Sequence, residues 1–106
     1  VGLGHAFLRH VSRCKLLVLL LDMAGTEGRK PWDDFQQLLR ELELYDPALL
    51  AKRRLVVANK MDESRAASHL RSFRRRVPGV RVLPMAAAFG TGVEKFKRAI
   101  RDATFF

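Results

Sequence analysis

The chain has 106 residues, of which 48% are hydrophobic and 29% charged, and its formal net charge is +9. That length supports one small core rather than several domains, and the composition excludes disordered and fibrous classes. The longest apolar stretch, Leu16 to Leu21, is far short of the roughly 20 residues that cross a bilayer, while the surplus of Arg and Lys attracts polyanions such as nucleic acid or the ribosome.

Val1-Gly2-Leu3-Gly4-His5 has neither the basic start nor the apolar run of a targeting peptide, and no Met precedes it, so the sequence reads as a piece of a longer chain. Leu3, Phe7, Val11 and Cys14 repeat at helical spacing and predict an opening amphipathic helix, with the lone Cys14 as a small buried hydrophobe. Lys15 to Asp22 predicts a fully buried strand. Pro31 suits the first position of a helix with Asp33 and Asp34 in its first turn, and Trp32, Phe35, Leu38, Leu39, Leu42 and Tyr45 form its apolar face.

Asp46-Pro47 predicts a capped helical turn through Leu50, followed by a second buried strand over Leu55 to Ala58. Ser64 is placed to cap a helix with Ala67, Leu70, Phe73 and Val77 facing inward, and Pro78-Gly79 ends it. Arg81 to Pro84 predicts a third strand. Thr91 and Glu94 have capping-box spacing for a last helix with Val93, Phe96, Ile100 and Ala103 on its inner face. Apolar strands alternating with amphipathic helices predict an α/β fold, a parallel three-stranded sheet with helices on both sides.

In such a sheet, ligands bind beyond the carboxyl ends of the strands. Strand two runs into Asn59-Lys60-Met61-Asp62, the Asn-Lys-x-Asp pattern of GTP-binding proteins. A carboxylate accepts only, so Asp62 can take the N1 and N2 protons of guanine, a donor pair that adenine lacks. Leaving that charge unpaired against the wrong base penalises it by as much as about 10⁴ to 10⁵. The Asn59 amide can reach N7 and brace neighbouring loops, and the Lys60 stem can lie across base and ribose with its ammonium in water. Three specified residues recur by chance in about one chain of this length in a hundred. The plain reading is a polar turn; its place after a buried strand favours the ligand. A loop over Ala86, Ala87 and Ala88, after strand three, would cover the other edge of the base.

The chain resembles the Obg-type GTPases, the translation-associated branch that includes bacterial Obg and its mitochondrial relatives. The resemblance is carried by Gly2-Leu3-Gly4-His5-Ala6-Phe7-Leu8-Arg9-His10, Val18-Leu19-Leu20-Leu21-Asp22, Glu41-Leu42-Glu43-Leu44-Tyr45-Asp46-Pro47-Ala48-Leu49 and Val56-Val57-Ala58-Asn59-Lys60-Met61-Asp62. It implies the C-terminal half of a P-loop GTPase-like, three-layer G domain over residues 1–106, with Val1 to Gly4 as the tail of the second switch. Asn59, Lys60 and Asp62 would hold guanine, with Ala86 to Ala88 as the last nucleotide loop. The family usually has Ser-Ala where this chain has Ala86-Ala87.

The sequence contains no Gly-x-x-x-x-Gly-Lys-Ser/Thr loop and no magnesium-binding first-switch Thr, and no Asp-x-x-Gly stands ahead of Val1; these are the parts that hold phosphates and magnesium. The implied cofactor is therefore GTP or GDP gripped at its guanine end, with Mg²⁺ held elsewhere in a longer protein; no catalytic or metal residue is assigned, and Asp22 reads as a loop or capping residue. Two charge-assisted hydrogen bonds at about 1.5 to 3 kcal/mol each, against an association cost of at least about 4 kcal/mol, imply millimolar affinity or weaker for these residues alone. The family implies a role in large-subunit assembly with ribosomal RNA as partner, in a monomer that is mitochondrial, otherwise organellar, or cytoplasmic. Arg71, Arg74, Arg75 and Arg76 read as a solvated helix end that can also meet phosphates, as can Arg9, Arg13, Arg98 and Arg101. The competing reading is a degenerate RNA-binding scaffold that no longer turns over nucleotide.

Overall fold

The computed structural model describes residues 13–104. Three strands, β1 (Leu16–Asp22), β2 (Arg53–Asn59) and β3 (Val82–Pro84), form a parallel sheet in the order β1-β2-β3. Helix α1 (Pro31–Tyr45) joins the first pair, α2 (Ala66–Arg76) the second, and α3 (Val93–Thr104) follows β3. Among the described residues, no helix is long and apolar enough to cross a membrane.

Consecutive parallel crossovers of one hand put both of their helices on the same face of a sheet. Here α1 and α2 share a single core cluster, with Leu17, Leu19 and Leu21 of β1, Val56 and Ala58 of β2, Phe35 and Leu42 of α1, and Leu70 and Phe73 of α2. Phe35 and Phe73 meet edge to face, 5.5 Å between centroids, a geometry worth about 0.5 to 1.5 kcal/mol beyond burial. The alternate residues of β2, Leu55 and Val57, point the other way and pack with Met85, Ala99, Leu83, Val93 and Phe96 beneath α3. The expected helices on both sides of a parallel sheet are thus present.

Several local expectations are corrected. β1 is not fully buried: Leu17, Leu19 and Leu21 are inside, but Val18 is 38% and Leu20 59% exposed. Among the described residues, only Leu16 of β1 joins the α3 cluster, so the face bearing Val18 and Leu20 lies open. Cys14 is exposed and non-helical, with its carbonyl accepting the Lys52 ammonium; the opening helix over Leu3, Phe7 and Val11 lies outside the described residues.

Ser64 makes no cap, because α2 begins only at Ala66, after tight turns in which Glu63 N–H bonds to Lys60 O and Ala66 N–H to Glu63 O. Ala66, not Ala67, then joins Leu70 and Phe73 in the core. At about 100° per residue, Ala66 lies on the line through Leu70, Phe73 and Val77, whereas Ala67 is a quarter turn away. Thr91 does not cap α3 either: its N–H and C=O pair with Ala86, and the Phe96 N–H closes the first turn on Gly92. Ala99 is a core residue of α3 that the sequence reading missed; the Ala103 side chain lies outside the described residues. The 3₁₀ turn Pro47–Ala51 is capped as expected, its Ala48 N–H donating to Asp46 Oδ1 at 3.0 Å.

Two glycines set how closely these layers approach. A Cβ on Gly25 would lie 2.6 Å from His69 Cε1 on α2, and one on Gly92 would lie 2.7 Å from the Pro84 carbonyl oxygen. Both have φ in the left-handed range, 71° and 81°, where other residues are strained.

Candidate functional site

The three strands deliver their following loops to one rim. Asp22 and Asn59 are register partners at the ends of β1 and β2. Main-chain bonds then lace the loops: Met23 N–H to Asn59 O at 3.0 Å, Met85 N–H to Ala58 O at 2.8 Å, and Met61 N–H to Met85 O at 3.1 Å. Asn59, Lys60 and the loop after β3 are in this way held beside one another at the carboxyl rim, where a parallel sheet presents its ligand site.

Asn59 ends β2 half-buried, and its side-chain oxygen accepts the Ala87 N–H at 3.0 Å. Its expected bracing role is visible in this bond. Lys60 leaves the strand with φ 65°, a left-handed conformation that costs a non-glycine residue about 1 to 2 kcal/mol. That turn swings the chain round so that Asp62 sits exposed. Among the described residues, the Asp62 carboxylate has neither hydrogen bond nor ion pair, so it is not committed to a structural partner.

The loop after β3 closes by main chain alone. Ala86 is buried, donates to Thr91 O at 2.9 Å and accepts from the Thr91 and Phe89 amides at 3.2 and 3.0 Å. No side-chain hydroxyl takes part in this closure at residue 86. Ala87 N–H is engaged by Asn59, whereas the Ala88 amide carries no hydrogen bond among the described residues.

Sequence reasoning left Asp22 as a generic loop residue and did not single out Thr26. In the structure, Asp22 Oδ1 accepts the Ala24 amide at 2.8 Å, while Oδ2 accepts from the Thr26 hydroxyl at 2.5 Å and from the Lys60 ammonium at 3.1 Å. The same ammonium lies 3.4 Å from Thr26 Oγ1. Burial alone would push the Asp22 carboxyl up, but the Thr26 hydroxyl, the Lys60 ammonium and the Ala24 amide together hold it below the usual carboxylate range. The available signal was the shared rim: a residue ending β1 must neighbour the residue ending β2.

The chain is 58% identical over 99 residues to GTPase Obg of Opitutus terrae, a match covering 93% of this chain and 29% of that protein. It is 48% identical over 101 residues to GTPase Obg of Akkermansia muciniphila, covering 95% of this chain and 29% of that protein. The sequence belongs to the Obg family. A plant relative, the probable GTP-binding protein OBGM, mitochondrial, of Arabidopsis thaliana, is 40% identical over 104 residues, covering 94% of this chain and 21% of that protein. No family model matches the chain. The chain therefore spans less than a third of the length of these Obg relatives, some of them bacterial and one mitochondrial.

Within this Obg-family chain, the loops at the carboxyl rim bring Asp22, Asn59, Lys60 and Ala87 together. A cavity of about 360 Å³ lined by Arg53, Arg54, Arg81 and Asp102 lies instead at the amino ends of the strands, the opposite rim. Among the described residues, no group of three His, Cys, Asp or Glu side chains is placed to hold a metal ion. Of the basic residues on α2, Arg76 stacks over Trp32 at 4.6 Å and Arg75 bonds to Ser72 Oγ at 3.3 Å, which leaves Arg71 and Arg74 as its exposed arginines with no partner among the described residues.

Proposed function

We propose that this chain is the guanine-recognition half of an Obg-type G domain, in a longer protein that binds and slowly hydrolyses GTP during large ribosomal subunit assembly. Asp62 receives the N1 and N2 protons of guanine, Asn59 reaches N7, and Lys60 lays its stem along the base. The loop of Ala86, Ala87 and Ala88 borders the other edge. The observation that carries this reading is the Asp62 carboxylate, exposed and unpartnered among the described residues at a rim where every neighbouring loop is braced. A charged acceptor left without a donor in a braced turn is what recognition of a donor pair requires.

The donor set fits the base and not the metal. Phosphates and Mg²⁺ belong to segments upstream of Val1, where the coding sequence is expected to carry Gly-x-x-x-x-Gly-Lys-Ser/Thr, and these 106 residues alone give no magnesium-dependent GTP turnover. Arg71 and Arg74 supply phosphate contacts to ribosomal RNA, in the matrix of an organelle or in a bacterial cytosol.

The test is a ¹H–¹⁵N NMR titration of the 106-residue chain with GDP and, separately, ADP. GDP is expected to shift the amides of Asn59 to Asp62 and Ala86 to Ala88 at millimolar concentration, with ADP leaving them in place. Equal responses to the two nucleotides would overturn the reading. An RNA scaffold would instead show RNA binding with a steep salt slope and no response to GDP.

A further inference from the structure

We propose that Asp22, with Thr26, is a positioning residue for the guanine site: it anchors the Lys60 ammonium, so that the Lys60 stem is set in place as a wall of the base slot before nucleotide arrives. The inference rests on the reading of Asn59 to Asp62 as a guanine site and adds to it a residue from another strand, 38 positions earlier in the sequence.

The geometry runs from the sheet outward. Parallel register puts Asp22 directly beside Asn59, and the Met23 N–H to Asn59 O bond locks the two strand ends together. The Asp22 carboxylate is itself held, through the Ala24 amide and the Thr26 hydroxyl, with its side chain 16% exposed against 47% for that of Lys60. It is a fixed anion facing a long flexible cation.

A free lysine carries about 2 kcal/mol of rotamer entropy, which a ligand that uses its stem must overcome on binding. Tethering the Nζ end at Asp22 removes most of that freedom in advance, the general route by which preorganisation raises affinity. Lys60 itself stands at a left-handed φ of 65°, which aims the following residues, Asp62 among them, away from the strand direction. Asp22 is not free to bond the base itself, because its oxygens are already engaged by Ala24, Thr26 and Lys60. It therefore governs how tightly the base is held and not which base is chosen.

A purely structural role, stabilising the turn between Asp22 and Thr26, predicts something different, and a double-mutant cycle separates the two. GDP affinity of the 106-residue chain is measured by NMR titration for wild type, Asp22→Asn, Lys60→Ala and the double variant, with thermal unfolding alongside. Asparagine keeps an acceptor for the Ala24 amide and loses the negative charge that faces Lys60. Asp22→Asn is expected to weaken GDP binding about fivefold, Lys60→Ala by at least as much, and the double variant no further than Lys60→Ala alone.

Additive losses in the cycle, or wild-type affinity in Asp22→Asn, would overturn the role of Asp22 while leaving the guanine reading intact. A wild-type chain that does not distinguish GDP from ADP would overturn both. Should Asp22→Asn unfold the chain, Thr26→Val keeps the carboxylate and removes only the hydroxyl. It is expected to weaken GDP binding about twofold, a loss that must likewise vanish in the Lys60→Ala background.

Discussion

The Asn59 side-chain oxygen accepts the Ala87 amide at 3.0 Å, joining the loop after β2 to the loop after β3 across 28 residues of sequence. Neither loop is built around a disulfide or a metal cluster among the described residues, so this bond and the Met61–Met85 main-chain bond hold the two together. Asn59→Ala is expected to lower stability by about 0.5 to 1.5 kcal/mol, read as a shift of the urea midpoint. It should also raise hydrogen exchange at Ala87 selectively. An Ala87 amide that stays protected would place its bonding elsewhere.

Asp62→Asn should barely change stability, within about 0.5 kcal/mol, because the side chain is exposed and has no partner to lose among the described residues. Its effect falls on base choice. The 2-carbonyl of xanthine wants a donor where guanine needs an acceptor, so preference is expected to move from GDP to xanthosine diphosphate, with competition titrations as the measurement. An unchanged preference removes Asp62 from base recognition.

The Asp22 carboxyl is held below the usual carboxylate range in the folded chain, so its contacts favour folding at neutral pH. A depressed folded value means the unfolded chain takes up this proton first. That share of stability is complete above about pH 4 and disappears as pH falls through the lower folded value. Urea titrations of wild type and Asp22→Asn should accordingly differ most at neutral pH and converge in acid.

Gly92→Ala would press a methyl group to 2.7 Å from the Pro84 carbonyl oxygen at a backbone φ of 81°. Steric conflict and strain together predict a loss of about 1 to 3 kcal/mol, visible in thermal unfolding. Gly90→Ala shares the left-handed backbone, at φ 72°, but meets no atom within 4 Å, so its cost should be smaller.

Leu20 offers the opposite experiment. At 59% exposure beside Val18, it forms an exposed apolar strip on β1. Leu20→Ser is expected to slow self-association of the chain, followed by light scattering, at little cost in folding stability.

The strands, their parallel arrangement and the Asn59 to Asp62 turn were legible because each rests on local pattern: apolar runs, helix punctuation and a four-residue spacing. What escaped rests on contacts between distant segments. Thr91 has a capping-box partner in sequence, yet its backbone is claimed by Ala86. Ala66 and Ala67 are equally apolar, and only the true start of α2 decides which one faces Phe73. The strand over Lys15 to Asp22 looked uniformly buried because its residues are uniformly apolar, whereas burial depends on what covers each side. The bond between Asp22 and Lys60 has no local sequence signature, since it exists only once β1 and β2 lie in register.

β2 is enclosed on both sides, with Val56 and Val57 wholly shielded, whereas β3 is three residues long and lies at the sheet's edge. On the proposed guanine site, the two halves of the nucleobase grip are consequently unequal jaws. One is mounted on the most enclosed strand of the sheet and the other on its shortest, so local opening is expected to begin at the Ala86 to Thr91 jaw. A purine would then dock first against the fixed side, and the Asn59–Ala87 latch would be the joint that gives way and re-forms as it enters.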